Sequence, residues 1–280
     1  MHILITGGNG QLGQALQTVL VEDEVTAVDR DDLDISDKAQ LFAVIEQAKP
    51  DIVINCAAYT NVDGCVSDPE LAYCVNGFGP QNLALACQAQ DIPLVQVSTN
   101  EVFDGRDTEP YAEWTPPSPP NAYGRSKAAG EFNVRSIWGK SYIVRTAWLY
   151  SPTGRNFIHA ILRRARNSGK IRVVTDEIGN PTYTHDLALA ISQLIRTGQY
   201  GTYHFVNQGA CSRWEFANEI CRLAGLDHVQ NDPILGSEFK RASTPPPYGQ
   251  LANIAGGAIG ITLRPWQEAL AECLDQMEDK

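Results

Sequence analysis

Short apolar segments alternate with longer segments of helical spacing along the first 150 residues of the chain. The short segments are rich in Ile, Val and Leu and predict buried strands at 2–6, 25–28, 51–55, 92–98 and 141–146. The longer segments repeat apolar residues every three or four positions and predict helices at 10–21, 37–48, 68–90 and 122–136. Near-continuous apolar strands separated by helices form right-handed βαβ units. The pattern therefore predicts an α/β fold, with a doubly wound parallel sheet that helices cover on both faces.

The alternation becomes less regular in the second half of the chain. Helices are predicted within 151–181, at 184–197, at 213–224 and from Pro265, with strands at 172–174 and 202–206. Segment 182–207 is expected to rejoin the sheet of the 1–150 domain. The segments 151–181 and 208–280 are then expected to form a smaller C-terminal lobe.

The composition is that of a folded, acidic protein. Of 280 residues, 43% are apolar and 20% are charged, which excludes a disordered chain. With 22 Lys+Arg against 33 Asp+Glu the formal net charge is −11, so neither nucleic acid nor an anionic membrane is an expected partner. The first residues predict a strand rather than a secretory leader, and the seven cysteines lack CxxC spacing. A cytoplasmic protein with reduced cysteines is expected.

A glycine-rich loop follows the first predicted strand and opens the first predicted helix. Residues 7–13 read GGNGQLG, with Gly7, Gly10 and Gly13 in a GxxGxxG pattern around Gln11 and Leu12. Glycine there permits a tight turn, close approach to a pyrophosphate and close packing of helix on strand. The free N–H groups of the helix N-terminus then face the phosphates. The loop by itself is a weak signal, but between a strand and a helix it predicts a Rossmann-type domain that binds NAD(P).

The preference between NAD and NADP is left open by the next strand end. Asp29 is suited to accept hydrogen bonds from an adenosine ribose, and its charge would repel a 2′-phosphate. Arg30, which follows it, is suited to pair with that phosphate. Asp34 and Ile35 either meet the adenine or belong to an ordinary loop before the next helix.

A Tyr/Lys pair and a threonine supply the candidate chemistry. Tyr123 and Lys127 are four residues apart, on one face of a predicted helix. A tyrosine with a free pKa of about 10 needs a nearby cation if it is to exchange protons near neutral pH. Thr99 ends the strand before that helix, at the same sheet edge as the glycine loop, and its hydroxyl is placed to bind a substrate carbonyl.

As a set, these motifs resemble the dTDP-4-dehydrorhamnose reductase family of the extended short-chain dehydrogenase/reductase superfamily. The resemblance covers nearly the whole chain and extends beyond the glycine loop and the Tyr/Lys pair to segments 55–63, 75–76, 98–105, 145–148, 154–157, 179–183, 186–188 and 263–266.

The resemblance implies roles for individual residues. Thr99, Tyr123 and Lys127 would be the catalytic hydroxyl, acid and lysine. The cofactor would meet the glycine-loop residues and also Asp29, Arg30, Asp34, Ile35, Ala57, Ala58, Tyr59, Asn76, Tyr123 and Lys127. The sugar nucleotide would meet residues of the 1–150 domain and of the smaller, substrate-binding lobe, namely Thr60, Val62, Asn100, Glu101 and Trp148 in the first and Asn156 and Arg241 in the second.

The chain departs from the family pattern at two places. Asn100-Glu101 stands where the family usually has Asp-Tyr, which places a carboxylate at the sugar pocket and leaves another keto-sugar open as substrate. Some members bind Mg²⁺ through glutamates, one of them in the first helix, but position 15 here is Ala15, so no metal site is carried over.

The sequence therefore predicts reduction of the C4 ketone of dTDP-4-dehydro-L-rhamnose by NADPH or NADH, giving dTDP-L-rhamnose for polysaccharide biosynthesis. A reductase or epimerase of another nucleotide-linked 4-keto-6-deoxyhexose is one alternative. The other is a non-catalytic regulatory subunit that retains nucleotide binding. Apolar residues on helices 68–90 and 122–136 either cover the sheet or form a homodimer face.

Overall fold

The computed structural model describes residues 1–278 and contains one large sheet and three small ones. The strands are, in chain order, β1 (His2–Thr6), β2 (Glu24–Val28), β3 (Ile52–Asn55), β4 (Leu94–Thr99), β5 (Ser141–Thr146), β6 (Leu149–Tyr150), β7 (Lys170–Val174), β8 (Ile178–Gly179), β9 (Thr182–Tyr183), β10 (Gly201–His204), β11 (Cys211–Ser212) and β12 (Gln230–Ile234).

The large sheet has the order β10-β5-β4-β3-β1-β2, and all of its neighbouring strands run parallel. The chain leaves β1 to one side for β2 and returns to the other side for β3, so the winding direction reverses between β1 and β3. Ligands of open α/β sheets bind at the carboxyl ends of the strands next to such a reversal. The glycine loop leaves β1 at this edge, and residues 56–59 leave β3 there. Strand β10, near the predicted 202–206, pairs with β5.

Helices cover both faces of this sheet, as the periodicity predicts. The helices are α1 (Gln11–Val19), α2 (Lys38–Ala48), α3 (Val62–Ser67), α4 (Pro69–Tyr73), α5 (Gly79–Ala89), α6 (Ala122–Ile137), α7 (Phe157–Ser168), α8 (Thr184–Leu194), α9 (Arg213–Leu223), α10 (Ala255–Ala258) and α11 (Trp266–Glu278). Side chains of β1 alternate between the faces: Ile5 packs with α1 and α8, and Leu4 packs with α2 and α5. The doubly wound α/β fold is confirmed.

The helix predicted at 68–90 is present from Pro69 to Ala89, but it is not α-helical throughout. Helix α4 ends at Tyr73, a π-helical turn covers Cys74–Phe78, and α5 continues from Gly79. Pro80 has no N–H to donate to the preceding turn, which favours a change of winding at this point. A π-helical turn inside a helix often occurs at a functional site, and this one carries Asn76.

The remaining elements form a second hydrophobic cluster. Helices α7, α9 and α11 pack around Tyr150, Phe216 and Trp266, with β7 and β12 paired in parallel beside them. This cluster lies after the fifth strand of the large sheet and supplies the elements that face its carboxyl edge. Within residues 1–278 no helix combines the length and apolar character needed to cross a membrane.

Candidate active site

The glycine loop fits a dinucleotide pyrophosphate by its backbone geometry. Gly7 has φ +72°, and a Cβ there would lie 2.6 Å from the backbone nitrogen of Ala57. A Cβ on Gly13 would lie 2.3 Å from the carbonyl oxygen of Gly7. Helix α1 begins after Gly10 with no side-chain cap, and its first backbone bond runs from Gln14 N–H to Gly10 O. The amides of 11–13 are thus left to face the loop, as phosphate binding requires.

Asp29 lies beside this loop at the end of β2. Its carboxylate accepts the Asn9 N–H at 2.8 Å and the Arg30 N–H at 2.7 Å, so it orders the loop as well as bordering the expected ribose position. Hydrogen bonds from Ser36, with a smaller effect of Arg30, hold the pKa of Asp34 below its ordinary value. The Ile35 side chain is buried beneath α5, which leaves only its backbone to a cofactor.

The loop after β3 is held by buried amides. Asn55 accepts the Ala57 N–H at 3.1 Å and the Thr6 hydroxyl at 2.6 Å. Asn76 accepts the Tyr59 N–H at 2.8 Å and donates to the Tyr59 carbonyl at 3.0 Å. These bonds fix Ala57, Ala58 and Tyr59 at the crevice, while Asn76 itself lies beneath the loop.

Asn76 also joins this loop to the helix that carries Tyr123. Its amide donates to the Ser126 hydroxyl at 3.0 Å, and Ser126 donates to the Tyr123 carbonyl at 2.8 Å. Cys65 forms an apolar cluster with Tyr59 and Tyr123. The π-helical turn therefore positions the cofactor loop and the candidate acid together. Thr60 and Val62, at the start of α3, lie on the rim of the same region.

Thr99 and Tyr123 meet at the carboxyl end of β4. Burial, and secondarily the Glu101 carboxylate, raise the pKa of the Tyr123 phenol, and a hydrogen bond with Thr99 lowers it in part. The Thr99 hydroxyl also accepts the Glu101 N–H at 3.2 Å and donates to Asn100 Oδ1 at 3.3 Å. Asn100 donates in turn to the Gly249 carbonyl at 3.1 Å, and this second bond holds the Asn100 side chain in place to orient the Thr99 hydroxyl. Tyr123 is a protonated phenol in this environment, ready to donate.

Lys127 is buried on the turn of α6 that follows Tyr123. Its Nζ donates to the Val97 carbonyl at 2.8 Å, and burial lowers its pKa to about 8 although the Glu131 and Cys56 side chains raise it. Glu131, one turn further, receives two hydrogen bonds from Arg145, at 2.9 and 2.7 Å, and one from Ser98 at 2.6 Å. The candidate lysine thus belongs to a buried network of charges.

Glu101 reaches into the crevice from the 3₁₀ turn Asn100–Val102. Its Oε2 accepts from Asn121 Nδ2 at 2.7 Å, and burial raises its pKa. Asn121 also caps α6 by accepting the Gly124 N–H at 2.8 Å, which places the carboxylate beside the start of that helix. A Cβ on Gly124 would lie 2.1 Å from the Glu101 carbonyl oxygen, so the turn and the helix approach more closely than a side chain would allow.

A charged cluster closes the far side of the crevice. Trp148 has φ 45°, a left-handed value that costs a non-glycine residue about 1–3 kcal/mol. One face of its ring lies against Gly179, where a Cβ would be 2.6 Å away, and Arg213 lies over the ring at 3.6 Å from its centroid. Arg241, predicted to meet the substrate, forms an ion pair with Glu177.

Asn156 has structural partners. It caps α7 by accepting the His159 N–H at 3.3 Å, and it donates to Gln11 Oε1 at 2.9 Å. The same Gln11 Oε1 also accepts a hydrogen bond from the Ser151 hydroxyl at 2.8 Å. These bonds place Asn156 next to the glycine loop, and a contact with substrate stays a prediction.

Sequence reasoning missed several residues of the site. Glu177 and Arg213 carry no local motif, because their partners lie on other elements. Two local signals were available: Asn121 is an N-cap residue before α6, and Glu131 has i, i+4 spacing from Lys127. Within residues 1–278 no group of three or more His, Cys, Asp or Glu side chains is placed to hold a metal ion, and the expectation of a metal-free site stays a prediction.

Comparisons with known proteins show the family of the chain. A dTDP-4-dehydrorhamnose reductase of Streptomyces griseus is 39% identical over 96% of this chain and 91% of its own. A dTDP-4-keto-6-deoxy-D-glucose reductase of Streptomyces niveus is 38% identical over 96% of this chain and 95% of its own. The structure of dTDP-4-dehydrorhamnose reductase from Bacillus anthracis str. Ames in complex with NADP is 40% identical, covers 98% of this chain and 99% of that one, and superposes with a TM-score of 0.95. Since the model of the RmlD substrate binding domain family matches residues 1–279, the chain belongs to that family.

Proposed function

We propose that the protein reduces the C4 ketone of dTDP-4-dehydro-L-rhamnose to give dTDP-L-rhamnose, with NADPH or NADH as reductant. The observation that carries this proposal is the convergence of Thr99, Tyr123 and Lys127 with the glycine loop at one edge of the parallel sheet. The name and NADP complex of the Bacillus anthracis relative support the same reaction and cofactor.

The backbone fits the dinucleotide. Gly7, Gly10 and Gly13 leave the space and the uncapped amides that a pyrophosphate needs, and Ala57 lies against the loop at the reversal of strand order. Asp29 would accept from the adenosine ribose. The bound nicotinamide supplies a hydride to the sugar C4.

The side chains then act on the sugar oxygen. Thr99 would turn its hydroxyl proton from Asn100 Oδ1 to the C4 oxygen, and Tyr123 would transfer its phenolic proton to that oxygen as it becomes an alkoxide. An alkoxide is a stronger base than a phenolate, so the raised pKa of Tyr123 does not prevent this transfer. Lys127 would compensate the charge of the phenolate that remains, and the Ser98–Glu131–Arg145 network holds the lysine's helix turn against β4 and β5.

A second candidate is reduction of another nucleotide-linked 4-keto-6-deoxyhexose. The Glu101 carboxylate in the crevice favours it, and so does the 38% identity to a reductase named for dTDP-4-keto-6-deoxy-D-glucose. The two candidates share the reaction and the catalytic residues and differ only in the configuration of the sugar.

The test is oxidation of NADPH and of NADH by the isolated protein, with enzymatically generated dTDP-4-dehydro-L-rhamnose and with dTDP-4-keto-6-deoxy-D-glucose. Turnover of the first sugar, with dTDP-L-rhamnose as product, is expected. Tyr123→Phe should lower kcat at least ~100-fold while cofactor binding stays unchanged, because only the proton donor is lost. The matched control is Tyr73→Phe, on an exposed ring of α4. Wild-type turnover in Tyr123→Phe, or no turnover of either sugar, would refute the proposal and favour a regulatory role.

A further inference from the structure

Arg213 carries the least satisfied charged group of the crevice. It is the first residue of α9, and its backbone N–H donates to the Glu177 carbonyl at 3.1 Å. Its guanidinium lies over Trp148 and has Glu177 Oε2 3.8 Å from Nε, which is too far for a hydrogen bond. Within residues 1–278 the guanidinium makes no hydrogen bond, although its side chain is only 25% exposed. A guanidinium has five N–H donors, and such donors are normally satisfied when they are largely buried.

The Glu101 carboxylate belongs to the same charged region of the crevice as this guanidinium. Burial lowers the pKa of Arg213 to about 10, while the charges of Glu177 and Glu101 raise it. In the other direction, Arg213 lowers the pKa of Glu101, and Glu101 raises that of Tyr123. The backbone joins the two sides of this region: Asn100, next to Glu101, donates to the Gly249 carbonyl at 3.1 Å, and the Gly249 N–H donates at 2.8 Å to the carbonyl of Ile178, next to Glu177. The pair offers hydrogen-bond donors from Arg213 and an acceptor from Glu101.

We propose that Arg213 and Glu101 together recognise the C2 and C3 hydroxyl groups of the sugar, so that the enzyme selects 4-keto sugars that retain them. The inference rests on the proposed reductase function and defines which sugars it accepts. A hydroxyl accepts from a guanidinium and donates to a carboxylate, so neighbouring hydroxyls satisfy both charged groups. A deoxygenated sugar would leave both groups desolvated and unpaired, and sites of this kind reject such analogues strongly.

A phosphate contact is the competing role for Arg213, and the charges disfavour it. Glu101 and Glu177 place two carboxylates around the guanidinium, and each would repel a diphosphate. Arg241, the other cation of the cluster, is already paired with Glu177. The neutral hydroxyl groups of a sugar ring therefore fit this cluster better than an anion.

The kinetic test compares dTDP-4-dehydro-L-rhamnose with its 2-deoxy and 3-deoxy analogues. The variant Arg213→Met keeps a long apolar side chain on Trp148 and removes the donors, Arg213→Lys restores the charge, and Arg163→Met on the exposed face of α7 is the matched control. In the wild type, kcat/KM for the parent sugar should exceed that for either analogue by at least ~100-fold. Arg213→Met should lower kcat/KM for the parent sugar and leave kcat/KM for the analogues unchanged, so that most of the preference disappears. Arg213→Lys should recover part of it.

Calorimetric binding of dTDP and of dTDP-L-rhamnose provides an arm that needs no turnover. Arg213→Met and Glu101→Gln should each weaken dTDP-L-rhamnose at least ~10-fold and leave dTDP unchanged. Equal weakening of dTDP would assign Arg213 to the diphosphate and overturn the inference, as would equal rates for parent and deoxy sugars. A third result would separate the two proposals. If neither keto-sugar is reduced, but Arg213→Met still weakens dTDP-L-rhamnose and not dTDP, the reductase proposal fails and the proposed sugar recognition stands.

Discussion

Replacing Lys127 with methionine should stabilise the fold while it removes activity. Burial lowers the pKa of Lys127 from the ordinary 10.5 to about 8, and each pKa unit corresponds to about 1.4 kcal/mol. At pH 7 the buried ammonium therefore costs roughly 3 kcal/mol relative to the unfolded chain. The variant loses the hydrogen bond from Lys127 to the Val97 carbonyl, worth about 1 kcal/mol. That carbonyl still accepts a hydrogen bond from the side-chain amide of Gln96 at 2.8 Å. A net gain of about 2 kcal/mol is expected.

The gain should depend on pH in a direction fixed by the lowered pKa. Below about pH 8 the lysine is charged in both the folded and the unfolded protein, so its full destabilising effect is present. As the pH rises from about 8 to 10.5 the folded protein releases this proton while the unfolded chain retains it, and the destabilisation disappears at about 1.4 kcal/mol per pH unit. The advantage of Lys127→Met should therefore shrink over this window. Other groups that titrate there are common to both proteins and cancel.

Urea denaturation of the wild type and Lys127→Met, at pH 7 and again near pH 10, measures the effect. Lys140→Met is the control, because Lys140 is only partly buried and its ammonium pairs with Asp91 at the surface, where substitutions shift stability by about 0.5 kcal/mol or less. Reductase activity of Lys127→Met should fall at least ~100-fold. A less stable variant at pH 7, or a stability gain that stays constant with pH, would refute the idea that the buried ammonium opposes folding.

Three further outcomes follow from individual contacts. Gly13→Ala should raise the Kd for NADPH at least ~10-fold in a fluorescence titration, because the added Cβ would lie 2.3 Å from the Gly7 carbonyl oxygen. Glu131→Gln should lower the free energy of unfolding in urea by about 3 kcal/mol, because it leaves the fully buried Arg145 guanidinium without its counter-charge. Asp29→Ser should raise the ratio of kcat/KM for NADPH over NADH at least ~10-fold, because a carboxylate that repels the 2′-phosphate is removed.

The fold was predictable because its signals are local. Continuous apolar runs mark the buried strands, the glycine loop marks the first crossover, and the strands follow one another along the chain. The π-helical turn at Cys74–Phe78 was not predictable from periodicity, since its two buried residues, Asn76 and Gly77, carry no apolar side chain. Its cause is tertiary: Asn76 must reach both the loop after β3 and Ser126 on α6.

The candidate site likewise contains residues that a sequence motif marks and residues that no motif marks. Thr99, Tyr123 and Lys127 carry a motif, and the structure brings Thr99 and Tyr123 into contact and buries Lys127 one turn along the helix. Arg213 meets both Trp148 and Glu177 only because α9 and the turn after β7 fold back over the end of β5. Nothing in the sequence around those two residues marks such contacts, which depend on the packing of distant elements.

The charges around Tyr123 keep its phenol in the protonated form. Glu101 and burial raise the pKa of the phenol, and the Lys127 ammonium is directed to the Val97 carbonyl rather than to the phenol oxygen. A phenol held in its protonated form is prepared to give a proton to a new alkoxide, which reduction requires. The reverse reaction begins from the phenolate, and that form is the one this environment disfavours. Glu101 therefore helps to keep the acid protonated, and it is also the carboxylate that is proposed to recognise the sugar, so a single group in the crevice would link the two properties.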